Sequence, residues 1–404
     1  MRRFSFVLLA LLGCGDVPST VRSTELPSPT TDGARVPQLA RGTDGRVWLS
    51  WMARGADSLP ALFVAVRDTS GAWSAPRRVV RDSLLLLNWA DFPSALPLDD
   101  GTLVVHFLQR SGVGAYDSYL VRSTDDGANW SPPVRLHRDD PAVGEHGFVT
   151  MRAIGRDQAM LVWLDGREAA DTDHDAHGGT RFSLRSTTFS SAGTFGAEEV
   201  IDADVCTCCQ TDIATTGAGL AAVYRGHTSA DIRDTHVARF DGTAWRTAGT
   251  VHDDGWRIAA CPVNGPAIDA RGDSLAVVWF TAARDTARSL VAFSADGGAS
   301  FGAPIPVTDG PTLGRLDLLA IDGAHALVTW IEERGAKRAV LRARTIARDE
   351  TRGEAIDIAE VTGRRPDGFP RMVRDGDGVL LAWTDTRGAT PRVRVARLTT
   401  GRGS

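Results

Sequence analysis

Short apolar runs that close on an aromatic residue punctuate the chain. Leu275-Ala276-Val277-Val278-Trp279 is the clearest, and the pattern returns at Val47–Trp51, Leu103–Phe107, Ala159–Trp163, Leu220–Tyr224, Ala326–Trp330 and Val379–Trp383. The closing aromatics are spaced 56, 56, 61, 55, 51 and 53 residues apart. A near-constant period of this size marks units that each bury a face against the next. A run rich in Val and Leu, bounded by Gly and Asp, predicts a strand buried on both faces. A first strand precedes each anchor (Pro37–Ala40, Pro266–Asp269, Pro370–Val373), joined to it by a Gly/Asp turn such as Thr43-Asp44-Gly45. A polar loop, a third strand (Leu62–Arg67, Leu290–Ser294, Arg392–Leu398) and a weaker fourth (Arg77–Val80, Ile305–Thr308) complete the unit. Nothing after the N-terminal segment has helical periodicity. The pattern therefore predicts an all-β fold, a seven-bladed β-propeller of four-stranded antiparallel blades. Unrelated stacked sandwiches would not hold one aromatic in register through seven units.

The 404 residues carry no Pro/Ser-rich interior linker, so one propeller domain is expected over 35–404. With 45 Lys+Arg against 50 Asp+Glu and no basic cluster, nucleic acid is not an expected partner. Met1-Arg2-Arg3 followed by the apolar Phe4–Leu12 is too short to span a bilayer as a permanent helix and reads as an export signal over 1–13. Leu11-Leu12-Gly13-Cys14 resembles a bacterial lipobox, which implies a lipid on Cys14 and a lipoprotein facing the periplasm or the outside of the cell envelope. Residues 14–34, rich in Ser, Thr and Pro, read as a tether. Within them Val21–Leu26 is the segment available to complete the seventh unit, whose own strands stop at three.

Ser123-Thr124-Asp125-Asp126-Gly127-Ala128-Asn129-Trp130 matches the Asp box of the bacterial neuraminidase repeat, and Ser294–Phe301 is a second copy with Phe for Trp. Weaker remnants stand at Trp73, Phe195 and Trp245. The chain thus resembles the sialidase superfamily. Asp and Gly suit the tight turn between third and fourth strands, with the aromatic tucked into an apolar gap. Arg35-Val36-Pro37 looks like that family's Arg-Ile-Pro, and Arg54 and Asp57 resemble its next arginine and its acid/base aspartate. The resemblance implies that Arg35 and Arg54 grip a substrate carboxylate while Asp57 serves a glycoside hydrolase as proton donor. Arginines follow the anchor in other units too (Arg110, Arg167, Arg284, Arg334, Arg387), so a hairpin-pinning role for Arg54 stays open. The family propeller has six blades, which keeps a six-bladed count as the alternative. Its late Tyr nucleophile is missing, because the only tyrosines are Tyr116, Tyr119 and Tyr224.

In an antiparallel blade the segment leading into the first strand and the loop after the second open on one face, here termed the upper face. That geometry gathers Asp91, Glu145, His146, Gln210, Arg225, Arg233, Asn264, Arg315 and Arg371 around an axial funnel, the expected place for a small-molecule or glycan ligand on a monomeric protein. Cys206-Thr207-Cys208-Cys209 and Cys261-Pro262-Val263-Asn264-Gly265-Pro266 share this face and resemble segments of an exported, sialidase-annotated propeller subgroup. In an oxidising envelope, Cys206, Cys208, Cys209 and Cys261 read first as disulfides. A bridge from Cys208 or Cys209 to Cys261 would add about 4 kcal/mol in the chain-entropy model. The alternative is a non-enzymatic protein holding copper or zinc through the same cysteines with His177, and no other cofactor is expected. A redox-active vicinal pair at Cys208-Cys209 is a third reading.

Overall fold

In the computed structural model the described residues are 20–401 apart from 56, 141, 170–180 and 336–337. They form seven four-stranded antiparallel sheets around one axis, with helix limited to two short 3-10 turns. The propeller is seven-bladed, as the period of the anchors requires. The innermost strands of blades 1 to 7 are Arg35–Arg41, Ser94–Pro97, His146–Ile154, Asp212–Thr216, Ala267–Arg271, Thr312–Ala320 and Arg371–Asp375. Six blades take their strands in chain order. The seventh is completed by Thr20–Leu26, which pairs antiparallel with Arg392–Gly401, Val21 opposite Thr400 and Leu26 opposite Val395. That segment, grouped by sequence with the tether, is thus part of a blade. Val21 packs into the core between blades 6 and 7.

The anchors explain how the ring coheres. The core divides into seven apolar clusters, one for each interface between neighbouring blades, and every cluster contains one anchor. Trp330 sits among Ala276 and Val278 of the preceding blade. Trp163 meets Val104 and Leu120, and Trp51 meets Leu380 and Ala382 across the seam that closes the ring. An aromatic on the second strand therefore serves as the wedge that one sheet drives into the next. Burying so large a side chain at a sheet-on-sheet contact is the main apolar gain available at each interface.

The two Asp boxes fold into the same turn. Ser123 Oγ donates to Asp125 Oδ1 at 2.7 Å and accepts from Gly127 N, while Asn129 N donates to Asp125 Oδ1. Ser294, Asp296, Gly298 and Ser300 repeat every one of these bonds. Gly127 and Gly298 both have φ +86°, a left-handed conformation that favours glycine. The donors hold the carboxyls of Asp125 and Asp296 down to about 2. The Ser and Asp side chains of each box are spent on its own turn, so the box shapes the turn.

Replacing Trp330 by Ala should remove the wedge between blades 5 and 6 and cost about 3–5 kcal/mol. Urea unfolding of the two proteins measures the difference, and a loss below about 1 kcal/mol would contradict the wedge role.

Candidate functional site

The upper end of the axis is filled. Trp89 and Phe369 stack with centroids 5.9 Å apart, Phe92 leans on Phe369, and the Arg371 guanidinium lies 4.6 Å from the Phe92 ring centroid. Gln210 fastens this plug, donating through Nε2 to Ala90 O at 2.7 Å and accepting at Oε1 from Gly265 N at 2.9 Å. Ala90, Phe148 and Phe369, which approach from three different blades, belong to one apolar cluster there.

Backbone demand accounts for much of the polar density at this end. The first strand of each blade has a strand neighbour on one side only, and its other edge faces the axis. Phe148 N donates to Asp91 Oδ1, Ile268 N to Asp212 Oδ2, and Met372 N to Asp317 Oδ2 at 2.8, 3.0 and 2.5 Å, each reaching back to the preceding innermost strand or its lead-in. Arg315 N donates to Asn264 Oδ1, and Val36 N to Thr384 Oγ1. Val36, Phe148 and Arg315 are bulge residues with φ near +50°, where the strand register shifts. A left-handed β-branched or bulky residue is unfavourable alone and persists here because a side chain captures its N–H. At Gly147 a Cβ would lie 2.0 Å from Asp91 Oδ2, so the close approach depends on glycine.

The residues expected at the funnel are thereby placed. Asp91, Gln210, Asn264 and Arg315 bind backbone groups of neighbouring blades. Arg225 is fully enclosed, donating to the carbonyls of Arg233, Asn264 and Phe280 and lying over Trp256. Arg233 donates to Ile258 O and to Cys206 Sγ. Glu145 uses its carbonyl to accept from Gly166 N. His146 is buried, stacked on His137 with centroids 3.6 Å apart, in a network with Asp117, Asp139 and Asp165. Burial favours the neutral acid in Asp117, but hydrogen bonds from His137 and His146 outweigh it and hold that carboxyl well below its ordinary range. His177 lies outside the described residues.

Arg35, Arg54 and Asp57 belong to blade 1 and do not line the axial cavity. Arg54 Nη1 donates to Ser58 O at 2.7 Å, closing its own hairpin. Asp57 accepts from Leu59 N and pairs with Arg81 at the surface. Arg35 is half-buried, its guanidinium shifted below the ordinary value by burial and by Arg54 nearby.

The four cysteines do converge, drawn together from the approaches to blades 4 and 5. No disulfide joins them: all four are free thiols, with Cys206 Sγ 3.5 Å from Cys209 Sγ, well beyond a bonded pair.

Below the plug, a cavity of about 570 Å³ follows the axis. Its upper wall is buried (Ala90, Asp91, Phe148, Gln210, Thr211), whereas Arg41, Thr43, Asp99, Thr215 and Arg271 at its other end are exposed. The cavity thus opens on the lower face, opposite to the expected funnel. Arg41, Arg152, Arg271 and Arg374 line this mouth, one each from blades 1, 3, 5 and 7. Arg374 is shifted below its ordinary value, first by burial and then by the other three guanidinium groups, although Asp269 opposes the shift. It pairs with Asp269 at 2.6 Å, and Arg152 Nε donates to Thr215 Oγ1. The side chains of Arg41 and Arg271 make no hydrogen bond or ion pair among the described residues. Arg41-Gly42 and Arg271-Gly272, a basic residue at the strand end before the turn, are the sequence signal that points to this mouth.

No family model and no curated protein matches this chain. Among solved structures it is similar to a protein of unknown function from Dyadobacter fermentans, at 14% identity and TM-score 0.51, over 95% of this chain and 100% of that one. It is also similar to the Trypanosoma rangeli sialidase solved with the inhibitor DANA, at 11% identity and TM-score 0.51, over 93% of this chain and 59% of that one. The likeness is one of fold. This chain spans little more than half the length of that sialidase, and at such identity no residue role passes from one to the other.

Asp317 borders the cavity, and burial pushes its carboxyl up to about 7. The folded protein therefore keeps a proton there that the unfolded chain releases near pH 4. Its contribution to stability is complete below pH 4 and declines as the pH rises towards 7. Asp317→Asn, which can still accept from Met372 N, should show a smaller fall in unfolding free energy between pH 4 and pH 7 than the parent. Parallel curves for the two proteins would refute the assignment.

Proposed function

We propose that this chain is an exported, lipid-anchored, monomeric propeller that holds an acidic glycan in its axial cavity, entered from the lower face. The observation that carries the reading is the convergence of Arg41, Arg152, Arg271 and Arg374 on one mouth, with the side chains of Arg41 and Arg271 in no hydrogen bond or ion pair among the described residues. Guanidinium groups meet carboxylate or sulfate oxygens through paired, charge-assisted hydrogen bonds, and such bonds are roughly twice as strong as neutral ones. A cavity of about 570 Å³ admits a short sugar segment. The sialidase fold is consistent with a carbohydrate ligand. Hydrolysis is a separate matter, since Asp57 lies away from this cavity, and a fluorogenic sialoside assay with Asp57→Ala tests it.

Titration calorimetry with sialyllactose and with a uronic-acid oligosaccharide, each against its neutral counterpart, tests the binding. The acidic member of at least one pair should bind, more weakly as salt rises. Arg271→Glu should reduce affinity at least tenfold, as loss of a charged hydrogen bond worth about 1.5–3 kcal/mol requires. Equal binding of acidic and neutral sugars, or an unaffected Arg271→Glu protein, would remove the basis of the proposal.

The anchoring rests on the lipobox resemblance around Cys14. Cys14→Ser should shift the protein from the membrane to the soluble fraction on cell fractionation, and unchanged membrane association would count against lipidation.

A further inference from the structure

We propose that Cys206, Cys208 and Cys209 form a three-thiolate site for Cu(I), with Cys261 as the outer thiol through which the ion enters. The site is independent of the glycan reading.

Chain geometry makes the site. Cys206-Thr207-Cys208-Cys209 lies between the outer strand of blade 3, which ends at Val205, and the innermost strand of blade 4, which begins at Asp212. Cys206 N donates to Arg225 O, fixing where this turn leaves blade 3. The turn folds the three side chains inward, so that their sulfurs all lie within 4.8 Å of one another, with Cys206 and Cys209 buried. The shortest separation, 3.5 Å between Cys206 Sγ and Cys209 Sγ, is close to what ligands on one ion require. Metal–thiolate bonds of about 2.3 Å place neighbouring sulfurs slightly under 4 Å apart. Cys261 enters from blade 5, is exposed, and lies outside this tight group. It contacts Thr207 Oγ1 at 3.4 Å.

Charge and ligand type choose the ion. Among the described residues the tight group contains sulfur alone, and soft donors of this kind select Cu(I) over harder ions. Three thiolates around a monovalent ion leave two negative charges. Two buried guanidinium groups stand against them: Arg233 Nη1 donates to Cys206 Sγ at 3.4 Å, and Arg225 lies behind, held by three carbonyls. Arg233 also has the Asp231 carboxylate 3.7 Å away, and the two guanidinium groups offset part of the negative charge that a Cu(I)-thiolate cluster would carry in this buried place. Binding releases the thiol protons to solvent and changes no oxidation state, provided the metal arrives as Cu(I).

The full-length protein, purified and reduced under nitrogen, would be titrated with Cu(I) against a chromogenic Cu(I) chelator, with metal content read by mass spectrometry. One Cu(I) per chain is expected, with the luminescence of a solvent-shielded copper-thiolate centre. Cys209→Ser should weaken binding at least a hundredfold, while Cys261→Ser should keep the stoichiometry and slow metal loading. Should the buried-site variant fail to fold, luminescence and stoichiometry of the parent protein still decide the matter. No copper uptake by the fully reduced protein would overturn the proposal. So would one Zn(II) held by all four sulfurs in preference to copper, or copper binding abolished by Cys261→Ser. Glycan binding, measured separately, is expected to be the same with and without copper.

Discussion

The free edge of the innermost strand is the constraint on which this propeller depends. Each blade pairs its first strand on one side only, so the other edge presents backbone N–H groups to a crowded axis where unpaired donors are costly. The chain answers with side chains from the neighbouring blade. Asp91 takes Phe148 N, Asp212 takes Ile268 N, Asp269 takes Ala320 N and Asp317 takes Met372 N, partners 57, 56, 51 and 55 residues apart. A carboxylate one blade away is thus a structural component of the ring. Full burial of Asp91 and Asp317 lifts each to about 7, chiefly through desolvation. The ring therefore tolerates acid well at these points and is least favoured there when both carboxyls ionise.

This arrangement decides where a ligand can be met. The amide-capturing groups and the plug built on Trp89, Phe92 and Phe369 occupy the upper axis. Polarity near a propeller axis, often read as a binding site, here includes a large share that is backbone maintenance. The arginines of the lower mouth differ in kind. The side chains of Arg41 and Arg271 hydrogen-bond to nothing among the described residues, and of the four guanidinium groups held close together only Arg374 has an ion-pair partner there, Asp269, which leaves an excess of positive charge at this mouth.

The fold was legible because its determinants repeat. One wedge aromatic per interface produces a period that no single element could show, and both Asp boxes close on the turn their residues demand. The shortage of strands at the C-terminus made Thr20–Leu26 the natural closing segment. The site was less legible for a reason that is also physical. Sequence shows which residues stand at the start of a first strand, and it put Asp91, Gln210, Asn264 and Arg315 on the upper side. It does not show whether a polar side chain points to solvent or back to a neighbour's amide, since that depends on contacts about fifty residues away. His146 illustrates the same limit. Its stacking on His137 and its contacts with Asp117 and Asp165 join blades 2 and 3, and nothing local to His146 announces it. Arg152 and Arg374 become neighbours only once the ring is closed.

Closure by Thr20–Leu26 orders events in time and in force. The first strand of the ring to leave the ribosome can dock only after Arg392–Gly401, the last, has been made, so no partial chain presents the complete seam. Until then Val21 has no cluster to enter, and the flanks of blade 7 stay exposed. Once the ring is shut, the polarity of the pairing matters mechanically: tension applied at the N-terminus acts on Thr20 opposite Gly401, at the outer end of a ladder seven residues long. Pull from that side therefore meets the clasp before any other blade. A propeller held by its N-terminus would respond to load by opening at its own seam, while the six remaining blades keep their internal pairing.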